Sequence, residues 1–347
     1  MLYNKRKKSE EKHEMINSLV KKDKSSEKSS SSSETSLDEL KTLKKKKTVS
    51  NGPTEMEDLY RFLKDNQNLE FIIKQKDIEI TGLIGEGGYG QVYRGKYMSC
   101  PVAVKDYMKT GRIHKSREDF MKEVEVLSDL KHPNIVLYMG LCIRFNHYQL
   151  VTEFMVNGSL YDQIHNKKTK FSDAERLEII DDIVRGMVYL HSMKNMLHRD
   201  LKSSNVLIAE DWKVKLCDFG LSGHKKKQKK KNNRIGTYQW MAPEVIRNDE
   251  IDFPSDVYSF GVIIWELLSE KIPYEGLLEA QIIGLVGYDE EHTLPVPEEE
   301  DEFIIELMQK CLNRDKDARP TFIQIQEEIE KERERRPATE ELFSNMN

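Results

Sequence analysis

Three separated stretches of this chain carry side chains suited to handling a phosphate group. The first, "GEGGYGQV", sets Gly85, Gly87 and Gly90 in G-x-G-x-x-G spacing with Val92 two residues on. Glycine lets the backbone approach a phosphate closely and allows positive φ. Alone the spacing says little, since glycine-rich turns between strands are common. A dinucleotide-binding turn should open a helix. These glycines instead lie between two strand-like runs, as in a hairpin folded over a nucleotide. The second stretch, "VAVK", ends in Lys105. Alternate residues of a strand share a face, so Ala103 and Lys105 point one way and Val102 and Val104 the other. A small residue beside a lysine suits a flat base next to phosphates. The plain alternative is an edge-strand lysine in solvent. Glu123, in the helical "FMKEVEVL", weakens that alternative, because a carboxylate from a neighbouring helix would hold the lysine ready for phosphate oxygens.

The third stretch, "HRDLKSSN", is the most specific, and "DFG" follows it. Asp200 supplies a carboxylate that can accept or orient a hydroxyl proton, and Lys202 can neutralise charge on a transferred phosphoryl group. Asn205 offers an amide oxygen, a hard ligand suited to Mg²⁺. Asp218 offers a second, with Phe219 as a packing residue. Each has a bland reading as a cap or turn residue. Their joint occurrence in this order does not.

These residues need a scaffold, and the pattern of the chain supplies one. Strand-like runs occupy "FIIKQKDIEITGLIG", "QVYRGKY" and "PVAVKDY", then, after a helix at "SREDFMKEVEVLSDL", "IVLYMGLCI" and "YQLVTEF". The second half is mostly helical. "SDAERLEIIDDIVRGMVYLHSM" opens on a capping box, Ser172 with Glu175, and Leu177, Ile180, Val184 and Met187 fall on one face. "SDVYSFGVIIWELLSE" is apolar nearly all round, as a helix buried inside a lobe should be. The expected architecture is α+β, with a small β-rich lobe followed by a larger helical one.

Composition narrows the class. The chain has 347 residues, 38% hydrophobic and 33% charged, with a net charge of −5 that argues against nucleic acid as the partner of the whole chain. No apolar run is long enough for a transmembrane helix. Read as a terminus, "MLYNKRKKSEEK" has no signal-peptide core, and Leu2 excludes N-myristoylation. Cys100, Cys142, Cys217 and Cys311 are scattered without metal-ligand spacing, which fits reduced thiols of the cytoplasm or nucleus. Residues 1–50 carry 14 Lys+Arg against 8 Asp+Glu, and the remainder 41 against 52. We expect residues 1–52, with "SSEKSSSSSETS", to be disordered. Lys44–Lys47 is a candidate nuclear address or membrane-surface tether. Residues 53–75 should form a short helix, capped by Thr54 with Glu57, and a linker packed on the following domain.

The motif set resembles that of eukaryotic protein kinases. The resemblance covers residues 76–331, with a lobe of about 76–155, another of about 156–331, and a tail at 332–347. It implies a two-lobed fold with ATP between the lobes and Mg²⁺ as metal, Mn²⁺ being an alternative. It makes Ile84, Gly85, Glu86, Gly87, Gly88, Gly90 and Val92 the phosphate-covering loop and its flank. It assigns Ala103, Thr152, Glu153, Met155 and Leu207 to the adenine pocket, with Glu153 and Met155 offering backbone hydrogen bonds. Lys105 would pair with Glu123, Asp200 would be the catalytic aspartate helped by Lys202, and Asn205 and Asp218 would hold Mg²⁺. Glu244 of "APE" would pair with Arg319, and Asp256 would brace the catalytic loop.

Lys202 two residues after Asp200 is similar to serine/threonine kinases, whereas "GTYQWMAPEV" combines Thr237 with the Trp240-Met241 of tyrosine kinases. That mixture resembles the tyrosine-kinase-like group, the Raf and mixed-lineage relatives. The implied activity is phosphorylation of protein serines and threonines in signalling, with dual-specificity or tyrosine kinases as the alternative. A pseudokinase scaffold would have lost the lysine or one of the two aspartates, and all are present. One departure is Leu312 after Cys311, where relatives commonly carry tryptophan; it puts local packing in doubt.

The segment between "DFG" and "APE" is unusual. It holds six lysines and one arginine between Lys225 and Arg234, and no Ser, Thr or Tyr from Gly223 to Gly236. The hydroxyl that would normally be phosphorylated near Arg199 is missing there. Residues 288–302 carry eight acidic residues and no Lys or Arg, a candidate counterpart in cis or from a second molecule. We expect the lysines to dock acidic protein substrates. The sequence leaves dimerisation open.

Overall fold

Alternating burial builds the first half of the chain. Strands β1 (Ile78–Gly87), β2 (Gly90–Tyr97), β3 (Cys100–Asp106), β4 (Tyr138–Arg144) and β5 (His147–Glu153) form one antiparallel sheet in the order β1-β2-β3-β5-β4. Val102 and Val104 are completely buried and pack with Ile73, Ile78, Cys142 and Val151. Helix α1 (Ile113–Asp129) contributes Phe120, Val124 and Leu127, all buried. The protein is described here from a computed structural model, which covers residues 63, 71–87, 90–107, 113–144, 147–224, 238–249, 251–298 and 300–336. The expectations for residues 1–52, for the helix at Thr54 (Leu63 excepted) and for the lysine-rich run lie outside those residues.

Several boundaries differ from the expectation; the run "IVLYMGLCI" forms β4 only from Tyr138, not from Ile135. The first strand run does not extend unbroken from Phe71. A 3₁₀ turn at Gln75–Asp77 interrupts it, and β1 begins only at Ile78. Polar "KQKD" offers no apolar alternation to sustain a strand. Helix α1 begins at Ile113 rather than at Ser116. Serine is a strong cap but only mildly unfavourable inside a helix, so it marks a start without fixing one.

The chain divides into two compact units. One comprises the described residues up to Asp129 with Leu137–Phe154, the other Leu130–Val136 and the described residues from Met155 onward. The second unit is organised by helices α2 (Asp173–Val188), α3 (Pro243–Ile246), α4 (Phe253–Ser269), α5 (Glu279–Ile282), α6 (Glu302–Cys311) and α7 (Phe322–Arg335). Short pairs β6 (Met196–Leu197) with β9 (Gly223–His224), and β7 (Val206–Ile208) with β8 (Val214–Leu216), complete it. The capping box at Ser172 and Glu175 forms in both directions. Leu177, Ile180, Val184 and Met187 are buried together, and α4 is buried along nearly its whole length. Leu312 is half-buried against Gly261 of α4. A side chain at Gly261 would come within 3.0 Å of Leu312 Cγ, so a small residue accommodates it.

Candidate active site

Residues directly opposite in antiparallel strands share a face of the sheet. Val92 lies opposite Lys105, and Ala103 opposite Thr152. Lys105 and Ala103 are two apart in β3, so all four side chains occupy one face, away from buried Val102 and Val104. Lys105 Nζ donates to Glu123 Oε1 at 3.1 Å and Oε2 at 2.8 Å. Glu123 is buried, and Tyr107 Oη donates to the same Oε2. Ile84 is half exposed and sits at a register shift between Leu83 and Gly85. A Cβ built on Gly85 would meet no atom within 4 Å, so packing does not explain the glycine. Gly90 is required for another reason: φ is +137°, and a Cβ would lie 2.1 Å from the Asp106 carbonyl oxygen. Glu86 accepts from Gln91. Glu153 is a backbone anchor, its N–H donating to Leu137 O and its Oε1 accepting from Leu137 N at 2.7 Å. Gly87 ends β1, and Gly88 lies outside the described residues.

The second unit gathers the remaining residues. Lys202 Nζ lies 2.9 Å from Asp200 Oδ2. Asn205 Nδ2 donates to Asp200 O at 2.8 Å and to Oδ2 at 3.1 Å. With its nitrogen so committed, Asn205 presents Oδ1 as the remaining polar atom, a hard oxygen. Asp218 is half-buried with φ of +61°, the left-handed region that a non-glycine residue adopts rarely, mostly at turns or functional sites. Met155 is buried and Leu207 half-buried in β7, bridged to Ser159. Among the described residues no group of three or more His, Cys, Asp and Glu could cage a metal. A Mg²⁺ site built on an amide, one carboxylate and substrate phosphates would need no such cage, and the oxygens of Asn205 and Asp218 have the right chemistry.

Asp256 braces this loop. Its Oδ2 accepts His198 N at 2.8 Å and Oδ1 accepts Arg199 N at 2.9 Å, while His191 Nε2 lies 2.9 Å from Oδ2. Burial alone would raise the Asp256 pKa, but the contacts from His191 and His198 outweigh it and hold the carboxyl below its ordinary value. His198 is fully buried, and burial pushes its imidazole down against the pull of Asp256, Asp200 and Asp218. A neutral ring donating from Nε2 to Cys217 O leaves Nδ1 to accept Asp200 N–H. One imidazole therefore ties the backbones of Asp200 and Cys217, the neighbour of Asp218. Glu244 and Arg319 form a buried bidentate pair at 2.7 and 3.0 Å, with Ser255 Oγ on Glu244 Oε1. Burial raises the Glu244 carboxyl, and Arg319 overcomes this and holds it below its ordinary value.

Two features escaped the motif reading. Tyr107 joins the Lys105–Glu123 pair. Glu266, inside α4 and wholly buried, accepts from Ser203 Oγ at 2.7 Å and Trp240 Nε1 at 3.1 Å, with His165 Nε2 at 2.7 Å. A single carboxylate in the apolar "FGVIIWELL" was the available signal, since a buried charge needs partners.

The family described as protein tyrosine and serine/threonine kinase matches residues 78–329. The chain belongs to this family, on the tyrosine-kinase-like, Raf-like side that its motifs resemble. It is 42% identical over 252 residues to the probable serine/threonine-protein kinase SIS8 of Arabidopsis thaliana, covering 72% of this chain and 24% of the relative. It is 36% identical over 260 residues to the serine/threonine-protein kinase STY46 of the same plant, covering 74% and 44%. It is 36% identical over 272 residues to the probable serine/threonine-protein kinase drkB of Dictyostelium discoideum, covering 78% and 39%. The chain thus spans a quarter to under half of the length of these curated relatives.

Proposed function

We propose that this protein is an ATP-dependent kinase that transfers phosphate to serine and threonine hydroxyls of protein substrates in signalling. The observation that carries the reading is the cluster Asp200–Lys202–Asn205, with the carboxylate held at 2.9 Å and 3.1 Å by lysine and amide. Phosphoryl transfer depends on positioning and charge stabilisation more than on covalent chemistry. Asp200 orients and receives the proton of the acceptor hydroxyl, and Lys202 balances charge on the group in transit. Lys105, fixed by Glu123, binds phosphate oxygens, while Ala103, Val92 and Thr152 on the same face of the sheet offer a flat surface for the base. Asn205 and Asp218 would hold Mg²⁺, which when bound supplies positive charge to the phosphates. The relatives named above, all called serine/threonine-protein kinases, favour Ser/Thr over Tyr as acceptor.

The proposal extends to acidic protein substrates, supported by the six lysines between Lys225 and Lys231. It places the protein in the cytoplasm, with Lys44–Lys47 as a candidate nuclear address. No helix among the described residues is long and apolar enough to cross a membrane. Asp200→Asn and Lys105→Met should each abolish transfer to a protein substrate while the melting temperature stays near wild type. Undiminished transfer by purified Asp200→Asn protein would overturn the assignment. If replacing the lysines by glutamine left KM for acidic substrates unchanged, the substrate preference would be withdrawn.

A further inference from the structure

Tyr107 follows Lys105 by two residues, one position beyond the end of β3, and its ring lies beside the Lys105 ammonium. The tyrosine is buried and its N–H donates to Tyr148 O at 2.9 Å, which fixes it to β5. Its ring meets Phe120 edge-on at 5.5 Å, and Phe120 in turn packs on Tyr148 at 5.5 Å. Phe120 and Glu123 stand three apart on α1, hence on one helical face. The same face of the helix therefore presents an aromatic contact and a carboxylate to Tyr107. The phenol donates to Glu123 Oε2, which also receives Lys105 Nζ at 2.8 Å. The ammonium of Lys105 lies 5.2 Å from the centre of the Tyr107 ring, within cation–π range. Its backbone lies next to the glycine-rich loop: a Cβ built on Gly90 would come 2.1 Å from Asp106 O and 3.3 Å from Tyr107 Cα.

A phenylalanine would keep the ring contact with Phe120 and bury as much apolar surface. What the tyrosine adds is a single O–H directed at a buried carboxylate. Hydrogen bonds to charged groups are stronger than neutral ones, and an under-satisfied buried carboxylate is costly. The hydroxyl acts where Glu123 is shared, on the same Oε2 that receives Lys105 Nζ.

We infer that Tyr107 is a positioning residue for phosphoryl transfer, orienting Lys105 through Glu123 and coupling α1 to the glycine-rich loop. This rests on the protein-kinase reading above. It makes the lysine–carboxylate pair a three-member unit in this chain, and it predicts an effect on ATP use without one on the protein substrate.

The test is steady-state phosphorylation of a fixed protein substrate by purified full-length wild type, Tyr107→Phe, Glu123→Gln and the double variant, varying ATP. Tyr107→Phe should lower kcat/KM for ATP about tenfold, as loss of one charge-assisted hydrogen bond would, and leave KM for the protein substrate within twofold. In the Glu123→Gln background the same change should cost less than in wild type, because the amide oxygen left to accept the hydroxyl is neutral. A purely structural tyrosine would cost the same in both backgrounds, and that result would overturn the inference. So would a Tyr107→Phe protein indistinguishable from wild type. Tyr107→Met, which also lacks the hydroxyl, must reproduce the loss if the phenylalanine variant melts early. Failure of the wild type itself to transfer phosphate would instead strike the kinase reading.

Discussion

Replacing Glu266 by glutamine changes one atom and one charge at a wholly buried position. The carboxylate receives Ser203 Oγ–H at Oε1, Trp240 Nε1–H at Oε2, and His165 Nε2 at Oε1. Indole can only donate. If the new amide nitrogen faces Trp240, two donors meet, and an unsatisfied buried group costs about 1–3 kcal/mol. If the amide turns round, its oxygen serves Trp240 and its nitrogen can donate to the Ser203 hydroxyl. His165 must then offer a bare Nε2, which restricts the ring to its neutral Nδ1–H form. That orientation exchanges charge-assisted bonds for neutral ones, again about 1–3 kcal/mol. At roughly 2–4 °C per kcal/mol for a unit of this size, the variant should melt roughly 2–12 °C below wild type. Ser203 is three residues from Asp200, and Trp240 two before Ala242. The damage should therefore reach the catalytic loop, with kcat about tenfold lower, which corresponds to about 1.4 kcal/mol. Scanning fluorimetry and steady-state transfer would read both. Ser203→Ala should cost less in the Glu266→Gln background than in wild type. An unchanged melting temperature together with unchanged kcat would refute the argument.

Other residues give further predictions. Arg319→Met strips a buried carboxylate of its bidentate partner and should destabilise by about 3–5 kcal/mol, with partial recovery when Glu244→Gln is added; chemical denaturation would measure it. Stability should fall as pH drops from 7 towards 5.5. His198 is held below its ordinary 6.5 in the fold, so the unfolded chain binds more protons there and stability rises with pH. His132, lowered by burial and then by Arg185, acts with the same sign. His198→Asn should flatten part of this slope in melting curves taken across the range. At lower pH the sign is the same for a different reason. Glu244 and Asp256 lie below their ordinary 4.5 and 3.8, so their contribution is complete above those values and is lost as pH falls beneath them.

Much of the site was legible because phosphate chemistry constrains both residue type and order. Lys105, Glu123, Asp200, Lys202 and Asn205 could be named as candidates from residue type and order, with their roles implied by the family resemblance, and in the sheet Ala103 pairs with Thr152 and Lys105 with Val92. The Glu244–Arg319 pair and the bracing Asp256 followed from the family resemblance and form as expected. Tyr107 and Glu266 were harder. Their roles depend on which side chains arrive from elsewhere, and local sequence encodes that weakly. Even so, Tyr107 lies two residues from Lys105, and Glu266 stands alone in an apolar helix. Element boundaries were the least legible part. The Gln75–Asp77 turn and the start of α1 depend on local competition between caps, turns and helix that pattern reading does not resolve.

The measurement that bears most directly on the central claim is residue-resolved mapping of phosphate after incubating purified protein with Mg²⁺, ATP and a generic protein substrate. Phosphoserine and phosphothreonine are expected on the substrate with wild type, and neither with the Asp200→Asn variant. Phosphate confined to tyrosine would contradict the acceptor assignment. No transfer by a folded wild type that binds ATP would contradict the enzyme itself.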